Sequence, residues 1–427
     1  MIINKVGLSN VAFGKNYIVV DIGASVEEGS FKVAAITEDG KKVIARNSGT
    51  VFNKGERRSE SIFEERVAER IFKFYSDKRQ LIIDHDPEGE KGKTDVVIAY
   101  PGPIVRNRDI IGAQIVNIRH NDHTQFERPI SGVRIDTLLA NRGINIGNTR
   151  HANDMAAAGA AILNILKEKY PDTLKEDGRE ILFLYPGGGP GVGEIVIEPD
   201  FFKIKPTDKG AMVVYNPLVS KKPYSFAKQV QSSGLIENFA EAMELTPNEK
   251  AAMREKTEVV TNYDAYCQAL GSEAVSRKRF DREKFDVASK SAIDRYIEAF
   301  AQMTVIKICD GKTNTVVLTG KIANGIAESV NNNPLFKAPK DKDVNDDKFT
   351  AIFKAEIRRK LAEVEWDFMG KDSDFNVIVL PLENNTEGAY SLANAAVVGE
   401  VPRSYNIPKN VQESEIDDLL DRFKSPV

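Results

Sequence analysis

An apolar strand running into a glycine-bearing turn occurs twice in this chain, and that repetition narrows the possible folds more than any other feature. The first unit is Tyr17-Ile-Val-Val-Asp21-Ile-Gly23-Ala24-Ser25. The second is Leu182-Phe-Leu-Tyr-Pro-Gly187-Gly-Gly189-Pro-Gly191-Val-Gly193, where five of the seven residues from Gly187 to Gly193 are glycine. Each turn is followed by a further run of β-forming residues, so a strand–turn–strand unit stands in each half. Glycine loses more conformational freedom on folding than any other residue, and a plain hairpin needs only one or two. Close approach of a phosphate chain to bare backbone N–H groups accounts for five. Between the two turns lies Asn153-Asp154, at the head of an alanine-rich helical run. A carboxylate there can accept a proton from an attacking hydroxyl, which completes the parts of a phosphoryl-transfer enzyme.

The amino-terminal section reads strand, strand, strand, helix, strand. Residues 17–21, 32–36 and 42–45 are short and rich in Val and Ile, with Gly or Asp-Gly turns between them. A helix is predicted from about Ser61, with Val67, Ile71 and Phe74 at i, i+4 and i+7. Residues 78–93 are charged and predict a surface loop. Asp95-Val-Val-Ile-Ala99 has the continuous apolar run of a buried parallel strand, ended by Tyr100-Pro-Gly-Pro103. A short strand at 144–146 leads to a helix from Asp154 to about Lys169. Strands at 181–185 and 194–198 flank the second turn.

The remainder is mainly helical. Ser232 or Ser233 caps one helix, Thr246-Pro-Asn-Glu249 has the capping-box spacing of another, and a long helix spans Val287 to about Cys309. A strand at 315–318 runs into Thr319-Gly320, and residues 331–348 predict a polar loop. A helix carrying Ile352, Phe353, Ile357 and Leu361 precedes a last strand at 375–380. An alanine-rich helix ends near Val398. The tail after Pro402, with one amphipathic stretch from Ile416 to Phe423, is expected to be partly disordered.

A chain of 427 residues exceeds one compact core and predicts two domains. A formal net charge of −4 gives no electrostatic footprint for nucleic acid. There is no apolar run long enough to span a bilayer and no signal-peptide layout at Met1-Ile-Ile-Asn-Lys5, so a cytoplasmic protein without a membrane partner is expected. The two cysteines, Cys267 and Cys309, form neither a zinc spacing nor a disulfide framework.

Each motif has a plainer explanation. Asp21 either orders Mg²⁺-bound water while Gly23, Ala24 and Ser25 wrap phosphates, or bonds its own hairpin. Asn153-Asp154 is either an ordinary helix cap or an active-site pair. The small residues after it imply close packing against another backbone, and a helix N-terminus keeps a carboxylate ionised. His120-Asn-Asp-His123 is either a metal site or a polar loop. His151, beside the Asn-Asp pair, is a candidate substrate contact.

Taken in order, these segments resemble the ROK family (repressors, uncharacterised reading frames and sugar kinases) of the actin/hexokinase-like ATPase superfamily. Residues 17–25 are similar to its first phosphate loop, usually Asp-Ile-Gly-Gly-Thr, and Ala99-Tyr-Pro-Gly-Pro103 to its Gly-x-Pro-Gly-Pro segment. Val116-Asn117-Ile118 falls where the family has a sugar-contacting Asn, and Asn153-Asp154-Met-Ala-Ala-Ala158 resembles Asn-Asp-Ala-Asn-Ala-Ala, whose Asp is the catalytic base. Gly189-Pro-Gly191-Val-Gly193 is similar to the second phosphate loop, Gln231-Ser-Ser-Gly234 to the Ser-Gly segment, and Val316-Val-Leu-Thr-Gly320 to the strand and glycine beside adenosine. The departures are Ala24-Ser25 for Gly-Thr, then Val26-Glu-Glu-Gly-Ser30 with no Lys, an apparent insertion, and Pro190 for Thr. The region Lys205-Pro-Thr-Asp-Lys-Gly-Ala211 stands where the family has Gly-Glu-x-Gly-His, and the family's zinc cysteine cluster is absent.

The resemblance implies an α/β fold of two ribonuclease-H-like domains flanking a cleft. Residues 1–150 with 386–427 form one domain, and 151–385 the other. It implies ATP-dependent phosphorylation of a sugar-like hydroxyl compound with Mg²⁺, in a protein that is often dimeric. Asp154 is then the base, and Asn117, Asn153 and His151 contact the acceptor. Asp21, Gly23, Ala24, Ser25, Gly189, Gly191, Gly193 and Gly320 serve the nucleotide. The alternative is a ligand-binding or sensor protein that has lost phosphotransfer.

Overall fold

The computed structural model describes residues 16–23, 31–37, 42–53, 56, 59–85, 94–101, 130–143, 146–186, 190–207, 213–214, 224–225, 230, 232–253, 256–271, 281–309, 312–340, 342–363, 375–380 and 405–408. Asn117, Ala24, Ser25, Gly189, the 120–123 histidine segment and the alanine-rich segment ending near Val398 lie outside these residues.

The first sheet contains β1 (Tyr17–Ile22), β2 (Phe31–Ile36), β3 (Val43–Gly49), β4 (Thr94–Tyr100) and β5 (Ile146–Asn153), in the order β3-β2-β1-β4-β5. β1 is antiparallel to β2, β2 is antiparallel to β3, and β1, β4 and β5 run parallel. Every residue of β4 is buried, as its unbroken apolar sequence predicts for a central strand covered on both faces. On one face Ile18, Val20, Ile22, Val96, Ile98 and Tyr100 pack under α1 (Glu60–Asp84) and α2 (Gly132–Asn141). On the other, Tyr17, Val19, Val97, Ala99 and Ala152 meet Ala157 of α3 (Asp154–Lys169).

The predicted order of strand, strand, strand, helix, strand is the observed one. The predicted loop over 78–93 is helical as far as Asp84, because Ile82 is buried and its carbonyl accepts from Asn16 Nδ2 at 2.8 Å. Charge there marks the solvent face of a continuing helix. The strand expected at 144–146 instead begins at Ile146 and reaches Asn153, its polar residues held by parallel pairing to β4. Helix α2 has no counterpart in the prediction. Ser131 caps it by accepting from the Arg134 N–H at 3.2 Å.

The second sheet contains β6 (Glu180–Pro186), β7 (Pro190–Ile197), β8 (Phe201–Thr207), β11 (Thr313–Thr319), β12 (Asn376–Leu380) and β13 (Tyr405–Pro408), in the order β12-β11-β6-β7-β8-β13. The strands β9 (Val213–Val214) and β10 (Tyr224–Ser225) form a separate pair. Numbered from its own first strand, β6, the larger sheet reads 3-2-1-4-5 with one strand added, the same order as the first sheet. Its fourth strand is parallel to its first and fifth, again as in the first sheet. The repeat visible as two glycine turns is thus a repeat of topology.

Among the described residues, seven α-helices accompany this second sheet in sequence: α4 (Ser232–Ala242), α5 (Pro247–Ala252), α6 (Glu258–Thr261), α7 (Tyr263–Leu270), α8 (Arg282–Ile308), α9 (Lys321–Asn332) and α10 (Lys348–Glu363). The Thr246–Glu249 capping box closes reciprocally at α5, as its spacing predicts. Helix α9 was not expected, and the tail is ordered where β13 pairs with β8. Neither cysteine is in a disulfide, and both are half-buried. No described helix is long and apolar enough to cross a membrane.

By their contacts the residues fall into two compact units, 1–178 with 193–206 and 385–427, and 179–192 with 207–384. The segment carrying Asn153 and Asp154 belongs to the first.

Candidate active site

The register of the first sheet lays Lys32, Asp21, Ala99 and Ala152 in one row across β2, β1, β4 and β5. Directly paired residues project to the same face, and here it is the face covered by α3. The row lies near the carboxyl ends of the three parallel strands, the usual ligand edge of an open α/β sheet. Lys32 Nζ is 3.2 Å from Asp21 Oδ2, with the lysine side chain half exposed and the aspartate a quarter exposed.

Two residues beyond Ala152, α3 begins. Asn153 is its N-cap, with Oδ1 accepting from Met155 N–H at 2.9 Å and from Ala156 N–H at 3.1 Å. The capping role is real, and it leaves the adjoining carboxylate to point elsewhere. Asp154 occupies the first helical position, and its Oδ1 accepts from Met155 N–H at 2.7 Å. Helix residues 156–163 are buried, and six of these eight are Ala or Gly, so α3 seats its backbone close to the sheet.

Burial pushes the Asp154 carboxyl up to about 7, and the negative charge of Asp21 pushes in the same direction. The Met155 N–H and the Lys32 ammonium oppose them and lose. The expectation that a helix N-terminus keeps this carboxylate ionised is therefore corrected: desolvation outweighs the dipole. A carboxylate near neutrality is also a better proton acceptor than one of ordinary acidity, since it combines a useful ionised fraction with affinity for the proton.

His151 sits on the opposite face of the sheet, paired in register with Ile98, and is buried. Its Nδ1 lies 3.1 Å from the Tyr100 hydroxyl and its Nε2 3.0 Å from Asp136 Oδ1. Burial, then the charges of Asp136 and Glu64, hold the Tyr100 phenol well above its usual range, so its proton stays. With a neutral imidazole, Tyr100 donates to Nδ1 and Nε2–H donates to Asp136, which satisfies all three groups. Asp136 is in turn placed by α2, whose start is tied to the fully buried Glu64. Ser131 N–H donates to Glu64 Oε1 at 2.7 Å, and Arg134 Nε lies 3.2 Å from Glu64 Oε2. His151 thus belongs to a buried chain that anchors β5 just before Asn153.

In the second half, Gly191 and Gly193 lie inside β7 rather than in a turn, two residues apart on one face. Gly320 follows β11 with φ of +100° and ψ of 161°, a conformation open to glycine alone, and starts α9 without any side-chain cap. Beside it the Thr319 hydroxyl is buried without a hydrogen-bond partner among the described residues. Buried orphan hydroxyls are rare in folded proteins, and one next to uncapped helix N–H groups suits a polar ligand.

Lys32, Tyr100 and Asp136 were missed as site residues. Lys32 could have been found as the one charged residue of its strand, two places beyond an insertion in a phosphate-loop-like turn. Tyr100 read only as the end of a strand, and nothing local marks Asp136.

By sequence no protein-family model matches this chain, and neither does any curated protein. The structure is similar to solved ones. Over 92% of this chain and 97% of the other, it matches a glucokinase from Balamuthia mandrillaris, solved with glucose, at 12% identity and a TM-score of 0.54. Over 90% and 78% it matches a ROK family transcriptional regulator, a homologue of the E. coli MLC protein, at 11% identity and a TM-score of 0.51. The chain therefore shares the α/β fold of these structures.

Proposed function

We propose that the protein is an ATP-dependent kinase acting on a hydroxyl of a sugar-like acceptor. One observation carries the reading: a carboxyl group near neutral acidity, Asp154, heads a helix at the ligand edge of the sheet, in the field of the Asp21–Lys32 pair. In the reaction, Asp154 takes the acceptor's hydroxyl proton as its oxygen bonds to the γ-phosphorus. The bond to the bridging oxygen breaks, and ADP leaves with that electron pair. Asn153 holds the head of α3 and so fixes where Asp154 stands.

The residues present suit the nucleotide and its metal. Thr319, Gly320 and the uncapped start of α9 offer a hydroxyl and backbone N–H groups to the nucleotide. Gly23, just beyond β1, has no side chain to keep a phosphate from its backbone. Asp21 would hold Mg²⁺ through water, as a hard oxygen donor does, and the ion would supply charge neutralisation on the phosphates. No three described His, Cys, Asp or Glu residues group as a metal cage, and a Mg²⁺ shared with substrate phosphates asks for only one or two carboxylates.

A second reading, a ligand-binding protein without phosphotransfer, is favoured by the fold's similarity to a transcriptional regulator. A panel of sugars with ATP and Mg²⁺ separates the two. Turnover that disappears in Asp154→Asn, with folding intact, supports the kinase. Binding of a sugar with no turnover on any acceptor supports the sensor.

A further inference from the structure

The geometry points to Lys32 as the cation that engages the γ-phosphate of the nucleotide, leaving Asp21 when the triphosphate arrives; this deepens the kinase reading and rests on it. Lys32 is the second residue of β2 and the direct register partner of Asp21. Both side chains stand on the α3 face of the sheet, in the row that ends at Ala152, two residues before Asp154. Beyond Asp21 the row continues with Ala99 and Ala152, the smallest residues that carry a Cβ, and both are buried against Ala157, so α3 sits close on the row.

The electrostatics of this edge call for a cation. Two carboxylates, Asp21 and Asp154, already repel one another there, and a triphosphate adds more negative charge. Among the described residues, Lys32 is the cation whose field reaches Asp154. The pair it makes with Asp21, at 3.2 Å and with half of the lysine side chain exposed, is the kind that solvent weakens and that contributes little to stability. A flexible four-carbon stem lets the ammonium exchange one oxygen for another without moving the strand. As charge spreads over the oxygens of the transferring phosphoryl group, a fixed ammonium stabilises it, and Asp21 is released toward the metal. Lys32 makes and breaks no covalent bond.

The test compares nucleotide affinities of wild-type protein, Lys32→Met and Lys32→Arg by calorimetry, with ADP and with a non-hydrolysable ATP analogue, each with Mg²⁺. In Lys32→Met the affinity for the analogue falls at least about tenfold while that for ADP changes little. Lys32→Arg keeps most of the analogue affinity, because the charge remains. In turnover, Lys32→Met raises KM for ATP and lowers kcat, with KM for the acceptor unchanged. Equal losses for ADP and analogue, or no loss for either, overturn the assignment and leave the kinase reading standing. Absence of any nucleotide binding by the wild-type protein overturns both. Unfolding midpoints of the two variants within a few degrees of wild type exclude a folding defect at this half-exposed position.

Discussion

The Tyr100 hydroxyl and the His151 imidazole, on neighbouring parallel strands, are 3.1 Å apart with their rings stacked at 5.7 Å between centroids. This contact fastens β5 to β4 three residues before the candidate base. Tyr100→Phe keeps the ring and removes the donor, leaving a buried imidazole nitrogen without its partner. The expected cost is about 1–3 kcal/mol, read as a lower urea midpoint with an unchanged slope.

Asp154 has a pH signature in activity. With its carboxyl at about 7, the base is ionised above that value and protonated below it. Turnover rises with pH and levels off above neutrality. A profile whose acidic limb falls near pH 4 instead would show that Asp154 is not the base.

The same carboxyl has a signature in stability, with its sign set by linkage. A carboxylate whose folded value, about 7, lies above the ordinary 3.8 binds more protons folded than unfolded between those values. Its stabilising contribution is full below pH 4 and is lost as pH rises through 7. Asp154→Asn keeps an oxygen for the Met155 N–H and cannot ionise. It should therefore raise stability at pH 8 by about 2–4 kcal/mol, with the gain disappearing near pH 4. Thermal melts of both proteins across pH 4–8 measure this, and a variant less stable at every pH would refute it.

Asp21 is the second cause of the Asp154 shift, after burial. Asp21→Asn removes that charge, so the Asp154 titration, followed by carboxyl carbon NMR, moves to lower pH yet stays above the ordinary carboxylate range. A midpoint that does not move would place the two groups out of electrostatic contact.

Gly320 tests the backbone of the second half. At φ of +100° any Cβ strains the chain. Gly320→Ala should destabilise by about 1–3 kcal/mol, and in the kinase reading it also weakens nucleotide binding.

What could be read from the residues alone divides along physical lines. β1 and β4 were clear because strands buried on both faces carry unbroken apolar runs. Strand β5 was obscured, since Gly147-Asn-Thr-Arg-His151 resembles a turn and is held by tertiary pairing. The Asn153–Asp154 pair was visible because capping chemistry is local, and the structure shows the cap formed as that chemistry requires. The acidity of Asp154 was misjudged for the opposite reason. It depends on burial and on Asp21, which lies more than a hundred positions away in sequence and two strands away in the sheet. Lys32 was hidden likewise: its partner is set by register, and register is invisible until the turn between β1 and β2 has a length.

The strand at Tyr405–Pro408 lies along β8 at the border of the larger sheet. Without it, β8 would offer a row of unsatisfied N–H and C=O groups to any passing chain. Tyr405–Pro408 thus acts as a guard rail, and a protein shortened to end before residue 405 should turn sticky, self-associating by strand addition even where its chemistry survives.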